Sequence, residues 1–454
     1  MIDPWDDRAF IGHPKGLGYL AFTEAWERFS YYGMQSLLVL YLAKYLLVGS
    51  NADAVALFGP FKSLYGGLEG AALASAIFGT YASLVYFTPM LGGFVADRWL
   101  GKKRAVIAGA LTMALGHFLM AFDVSFLFAL LALIIGNGLF KPNLASQIGA
   151  LYAPDDLRRA DAFQIYYIAI ASGVVFSPLV VGTLGENIGW HWGFGAAGVG
   201  MIIGLGIYLA GQRHLPAEHM VARRRDAGVA ADPMTADDWR MFGIVLLLVP
   251  VLAVALVPNQ EIFNAYLLWG DRAFDLQFMG SKLPTTWLIT LDAITSTGLM
   301  AGVVMFYRWY GRRRAEPDQF GKIIIGCAVV ALGMLCLFAA AATQPPGGKI
   351  GLFWPVAFHV VNSIGFAHVM PVALALFVRL APRQIASTVV GIYSMAFFVG
   401  TALTGWISSR FDTMPPTQFW LLHAGLAAVA GLAFWGLKLG LAKRAAVLRT
   451  VPAL

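Results

Sequence analysis

Apolar residues along this 454-residue chain gather into long runs broken by short polar stretches. A bilayer core asks for about 20 mostly apolar residues per helix. Runs of that kind occupy residues 18–47, 68–95, 104–122, 125–152, 161–188 and 192–212, then 241–269, 284–309, 321–343, 351–379, 383–410 and 418–440. The pattern predicts an all-α membrane protein of twelve transmembrane helices in two bundles of six. The domain organisation that follows is a tail over 1–17, a first bundle over 18–212, a polar linker over 213–239, a second bundle over 240–440 and a tail over 441–454. An internal repeat supports the division: Arg98-Trp-Leu-Gly-Lys-Lys-Arg104 and Arg308-Trp-Tyr-Gly-Arg-Arg-Arg314 each follow the second helix of their half. Duplicated six-helix halves around a central site are used by alternating-access transporters.

Composition points the same way. The chain is 59% apolar and 13% charged with a mean hydropathy of +0.69, where a soluble chain carries about a quarter charged residues. A water-soluble enzyme is excluded, and so is a disordered chain. The first run is not expected to be a cleaved signal peptide, because acidic Asp3-Pro4-Trp5-Asp6-Asp7 precedes it in place of a basic segment. The cysteines, Cys327 and Cys336, lie nine residues apart in one run, roughly 13 Å along a helix and too far to bridge. No His-Glu-x-x-His zinc pattern, Gly-x-Ser-x-Gly elbow or phosphate-cradling loop is present. Neither a metal nor a cofactor is expected.

The 32 basic residues exceed the 25 acidic ones, and their placement sets orientation. With a cytoplasmic N-terminus, 24 of the 32 fall in inner loops and tails, in groups such as Arg98/Lys102/Lys103/Arg104, Arg223–Arg225 and Arg312–Arg314. Six fall outside: Lys44, Lys62, Arg272, Lys282, Lys349 and Arg410. Arg28 and Lys141 lie within spans. Both termini are therefore expected in the cytoplasm, and the basic runs mark topology, with no nucleic-acid partner.

Charges at helix centres cost about 2.5–3.5 kcal/mol each. Six stand within the runs: Glu24, Glu27, Arg28, Lys141, Glu261 and Asp292. Unpaired they would cost on the order of 15–20 kcal/mol, more than a typical folding stability, so they face protein or water. Glu24, Glu27, Arg28, Tyr31, Tyr32 and Gln35 form one stripe of the first helix, with Arg28 placed to pair with Glu24 four residues back. Lys141 is expected at the same cytoplasmic depth. Such a cluster is either a static ion-pair joint or, with exchangeable partners, a proton relay: protonating a glutamate frees a cation for a substrate anion. Glu261 and Asp292, in the second half, have no expected intramembrane cation. That asymmetry fits a ligand with a carboxylate toward the first half and an ammonium toward the second, or else one of these acids carries a proton.

Three segments carry a family resemblance. Glu24-Ala-Trp-Glu27-Arg28-Phe-Ser-Tyr31-Tyr32-Gly33 resembles the first-helix signature of the proton-dependent oligopeptide transporters, a branch of the major facilitator superfamily. Gly92-Gly93-Phe-Val-Ala-Asp97-Arg98-Trp-Leu-Gly101-Lys-Lys-Arg104 resembles the superfamily motif between helices 2 and 3, and Gly136-Asn-Gly-Leu-Phe-Lys141-Pro142-Asn143 the family's fourth helix. The resemblance runs from about 15 to 210 and is weaker beyond. It implies the major facilitator fold and a proton-coupled symporter importing di- and tripeptides across a bacterial inner membrane; dense Ala and Gly usage with little tail favours a monomer among membrane lipids. Glu24, Glu27, Arg28 and Lys141 would couple protons. Arg28 and Lys141 would also meet the peptide carboxylate, and Tyr31, Tyr32, Tyr86, Asn264 and Asp292 would line the substrate site. Gln35, Gln260 and Glu261 would form the outer gate.

The chain also departs from the family pattern. Gln35 and Gln260 stand where the family has an arginine and its acidic partner, so the outer gate would close by neutral hydrogen bonds. Ala171 replaces an asparagine that holds the peptide backbone, and Phe366 replaces the glutamate that receives the peptide ammonium. Asp292 stands at a family asparagine and is expected to take over the ammonium. The linker is too short for the two extra helices of some relatives. With Ala171 and Phe366 in place, the cargo could instead be an amino acid, an anion such as nitrate, or a modified peptide. A non-transporting receptor or scaffold is the reading from another class. His359 and His368 are weaker candidates for titration, while His117 and His423 are expected to pack. Pro142, Pro178, Pro250, Pro258 and Pro371 are expected to interrupt helices, and Gly365 and Gly391 to serve close packing.

Overall fold

In a lipid core no water satisfies backbone N–H and C=O groups, so apolar runs close their hydrogen bonds within themselves as helices. A computed structural model describes residues 7–153, 156–215, 234–382 and 386–450 of the chain. Twelve helices of 18 residues or more stand among the described residues: α1 Lys15–Tyr41, α2 Gly70–Val95, α3 Lys102–Leu119, α4 Phe126–Gly149, α5 Arg158–Ser177, α6 Trp190–Gly211, α7 Ala236–Gln260, α8 Trp287–Tyr310, α9 Gln319–Ala342, α10 Phe353–Leu380, α11 Ala386–Ser408 and α12 Pro416–Thr450. Ten helical spans are long and apolar enough to cross a membrane. The remaining two are α1, which carries Glu24, Glu27, Arg28 and Gln35 along its length, and α3, which begins Lys102-Lys103-Arg104. Most of the expected linker (216–233), the ends of the expected tails and the start of the 383–410 run lie outside the described residues.

Two elements differ from the pattern read off the sequence. The seventh run is not one continuous helix. After α7 the chain makes a tight turn over Glu261–Phe263, passes through Asn264 at φ −126° and ψ −110°, and resumes as a short helix, Ala265–Ala273. Pro250 and Pro258 inside α7 precede this break. A two-residue hairpin, β1 Gln277–Phe278 with β2 Ser281–Lys282, interrupts the otherwise helical chain. Pro142 and Pro371, expected to interrupt helices, lie inside continuous ones, as does Pro89 in α2, and Pro178 opens a wider turn that continues α5.

Contacts divide the chain into two compact units. The first comprises Met1–Ala230 and Leu276–Ala293, the second Ala231–Asp275 and Ile294–Leu454. The break at 230/231 falls in the expected linker. The start of α8, counted from the sequence with the second bundle, goes with the first unit, where a half-buried carboxylate holds it. Glu186 accepts hydrogen bonds from Thr285 N at 2.9 Å, Thr286 N at 2.8 Å and Thr286 Oγ1 at 2.7 Å. An acid at the first turn of a helix satisfies orphan N–H groups and complements the helix dipole. Trp287 Nε1 donates to Thr183 Oγ1 at 2.9 Å and Thr290 Oγ1 to the Val175 carbonyl at 3.0 Å.

Bare backbone brings helices of the first unit close together. A Cβ on Gly92 of α2 would lie 2.0 Å from the Gly138 carbonyl oxygen of α4, and one on Gly173 of α5 would lie 2.4 Å from the Ala25 carbonyl oxygen of α1. Close approach of this kind drives helix association where lipid removes the hydrophobic incentive. The second unit packs around Leu248 and Leu252 of α7, Phe320 and Ile323 of α9, Leu376 and Phe377 of α10 and Phe434 of α12.

Candidate functional site

The polar stripe of α1 is buried in the first unit, with Glu24, Glu27 and Arg28 each 3% exposed or less. Arg28 Nε lies 2.9 Å from Glu24 Oε1 and 2.5 Å from Glu27 Oε2. One guanidinium thus serves two carboxylates. The pairing is incomplete: Glu24 Oε2, Glu27 Oε1 and Arg28 Nη2 are buried and meet no hydrogen-bond partner. Buried polar groups in native structures are nearly always satisfied, by protein or by ordered water. Gly173 sets this geometry from the α5 side, since its missing Cβ leaves room for the Arg28 stem, 2.8 Å from where that atom would sit.

Aromatic rings extend the cluster. The Arg28 guanidinium carbon lies 5.4 Å from the centre of the Tyr31 ring, which stands edge-to-face with Tyr32 at 5.1 Å. Tyr32 hydrogen-bonds Arg28 and lies in the field of Asp292. Tyr166 of α5 hydrogen-bonds Glu24. Lys141 of α4 is half-buried, and its ammonium sits 5.6 Å from the centre of the Tyr86 ring on α2. It interacts with Glu24, Glu27 and Arg28 through space, at distances beyond an ion pair. The Tyr86 face attracts the ammonium through the ring quadrupole.

The candidates of the second half go separate ways. Asp292, half-buried on α8, belongs with the first unit. The first unit therefore holds two cations, three acids and Tyr31, Tyr32 and Tyr86 in one neighbourhood. Glu261, Gln260 and Asn264 belong to the second unit, and all three are buried. Glu261 is not alone: an imidazole accompanies it. His423 Nε2 of α12 lies 3.0 Å from Glu261 Oε1, so His423 is a polar partner and not mere packing. Ser408 of α11 lies 2.8 Å from both carboxyl oxygens, and the Ala265 N–H donates to Oε2 at 3.3 Å. Gln35 in the first unit is buried with Oε1 unbonded. Ala171 and Phe366 are half-buried on α5 and α10.

His359 pairs with the Tyr266 hydroxyl at 2.9 Å, and His368 with the Tyr307 hydroxyl at 3.1 Å. Cys327 and Cys336 are free. Four residues escaped the sequence reading: Tyr166, Glu186, Ser408 and His423 as a partner. Tyr166 had a usable signal, a Tyr-Tyr pair in an apolar run of α5 like the pair on α1. The others act through partners about a hundred residues or more away.

Comparison with known proteins joins this geometry to a family. A profile described as the POT family matches residues 103–222. A di-/tripeptide transporter of Lactococcus lactis subsp. lactis (strain IL1403) is 31% identical over 431 residues, covering 90% of this chain and 77% of that protein. The peptide transporter YePEPT of Yersinia enterocolitica is 27% identical over 491 residues, covering 91% of each. Among solved structures, a peptide transporter POT in complex with sulfate superposes with a TM-score of 0.82 at 25% identity, over 96% of this chain and 98% of that one. A mutant of such a transporter bound to alafosfalin gives 0.80 at 26% identity, over 96% and 98%. The twelve long helices thus adopt the major facilitator fold of these transporters, and the chain belongs to the POT family.

Proposed function

We propose that this multi-pass membrane protein imports di- and tripeptides together with protons across a bacterial inner membrane, with both termini in the cytoplasm. The observation that carries the reading is the under-bonded cluster of the first unit. Two acids share one guanidinium while a second cation, Lys141, waits on an aromatic ring. A proton arriving on Glu27 or Glu24 would loosen Arg28, and a peptide carboxylate would then bridge Arg28 and Lys141. Tyr31, Tyr32 and Tyr86 would line the peptide, and Asp292 would receive its ammonium. Asn264, fully buried here, would join only in another state of the cycle. Gln35 and Gln260 would close the outer side by neutral hydrogen bonds. The membrane potential supplies about 2.3 kcal/mol per charge per 100 mV, and rocking of two bundles around a midplane site would convert it into accumulation. The test is acidification of proteoliposomes on addition of a dipeptide. A peptide-dependent inward proton flux is expected; no proton movement with any peptide would refute the reading.

A second reading keeps the coupling and changes the cargo. It is favoured by Phe366 and Ala171, which offer neither charge nor amide to a peptide. Competition of uptake by dipeptides, single amino acids, modified peptides and nitrate separates the two. The receptor alternative leaves the buried charges without a task, and proteoliposomes without proton-linked flux would favour it.

A further inference from the structure

The second unit contains a buried acid, Glu261, that the proton-coupling steps above do not use. Glu261 and His423 are fully buried and Ser408 is 1% exposed. Hydrogen-bond accounting fixes how many protons they hold. His423 Nδ1 lies 2.8 Å from the Phe419 carbonyl, which only accepts, so Nδ1 carries a hydrogen. Nε2 then faces Glu261 Oε1 at 3.0 Å. A bare imidazole nitrogen and a bare carboxylate oxygen at that distance would repel, so one proton lies between them. Ser408 Oγ lies 2.8 Å from both oxygens of Glu261 and 2.7 Å from the Thr404 carbonyl, and as a donor toward the carboxyl it brings its own hydrogen to that contact and calls for no further proton on Glu261. The pair therefore holds one proton more than a carboxylate beside a neutral imidazole, and its net charge is zero. Removing that proton would bury an uncompensated anion; adding another would bury a cation.

The pair ties α7, α11 and α12 together where α7 breaks. Glu261 opens the turn Glu261–Phe263, and the same carboxyl accepts the Ala265 N–H that begins the short helix beyond. Other titratable groups on these elements make contacts of their own. Tyr266 bonds His359 at 2.9 Å, and Arg272 pairs with Asp412 at 2.6 Å. Lys349 donates to the Arg272 carbonyl, the Arg410 guanidinium lies over the Trp406 ring, Asp271 stands in the short helix and Asp275 just beyond it.

We infer that Glu261 and His423 retain a single shared proton throughout transport, as a neutral clamp that fixes the break of α7 and thereby positions Gln260 and Asn264. Its functional consequence rests on the proton-coupled reading above: coupling is then confined to the acids of the first unit. The test uses the full-length protein in proteoliposomes, with Glu261→Gln, Glu261→Ala and His423→Ala. Glu261→Gln keeps a donor toward Nε2 and an acceptor toward Ala265. It retains gradient-driven dipeptide uptake within about twofold, with the same pH profile, as a rescue by the conservative variant should. Glu261→Ala and His423→Ala lower the thermal unfolding midpoint by about 5–10 °C and raise KM more than they lower kcat. Gradient-driven uptake lost in Glu261→Gln, with peptide counterflow intact, would overturn the inference and leave the proton-coupled reading standing. Absence of proton-linked flux in the parent protein would sink that reading instead, while the unfolding midpoints still decide whether the clamp exists.

Discussion

The two units bury acids in opposite ways. In the first, Glu24 and Glu27 crowd one guanidinium, and oxygens of both are left without hydrogen-bond partners. In the second, both oxygens of Glu261 are engaged by a hydroxyl, one also by an imidazole and the other by a backbone N–H. Removing water from a carboxylate is costly in either setting. A fully bonded acid recovers that cost and becomes rigid. An under-bonded one remains sensitive to any proton or anion that completes its shell. Burial alone therefore does not distinguish the two settings; the number of partners each carboxyl meets does.

The largest test of this contrast removes the second cation of the first unit. Lys141→Ala should abolish gradient-driven peptide accumulation while sparing peptide exchange at equal pH, read by uptake against counterflow. Unimpaired concentrative uptake in that variant would break the comparison. Next, Asp292→Asn should raise the KM for dipeptides about tenfold or more, the loss of one charge-assisted contact worth about 1.4 kcal/mol or above; transport equal to the parent would remove Asp292 from the ammonium site. A smaller effect is expected from Gly173→Val, which places a side chain 2.4 Å from the Ala25 carbonyl and against the Arg28 stem. Overpacking of this kind costs about 1–3 kcal/mol and should appear as a lowered unfolding midpoint with weakened peptide binding. Gly195→Ala, where a Cβ meets nothing within 4 Å, serves as its control.

The smallest effect belongs to a surface pair of the second unit, which isolates the role of burial. Burial pushes the Asp318 carboxyl up, but the Lys438 ammonium at 2.7 Å and the Gly321 N–H outweigh it and hold it below the usual carboxylate range. A carboxyl depressed in the folded state stabilises at neutral pH, and the contribution disappears as pH falls through its folded value. Asp318→Asn should therefore lower the unfolding midpoint slightly at pH 7 and leave it unchanged well below pH 4 (about the unfolded carboxyl value). An equal shift at both pH values would mean the side chain acts through packing.

How much of this was legible beforehand depended on range in sequence. Helices were legible because each apolar run closes its own backbone bonds. The first-unit cluster was legible because Glu24, Glu27 and Arg28 lie within one turn and stand out against Leu, Phe and Gly. Lys141 was placed correctly on its helix, but its rest on Tyr86 was not, since a ring 55 residues away leaves no local trace. The break at Asn264 hid inside a continuous apolar run, where hydropathy registers depth and not backbone path. Glu261 looked unaccompanied because His423 resembles a packing residue until α12 is laid beside α7. The assignment of Leu276–Ala293 to the first unit needed Glu186, an acid that hydropathy reads only as the end of a run.

Glu186 gives that assignment a mechanical meaning. Three donors converge on one carboxylate at the start of α8. Parting them singly would strand buried hydrogens at each stage, so the grip should release as a snap rather than a slide. A fastener of that type fixes a threshold: small jostling is absorbed, and only a concerted pull undoes it.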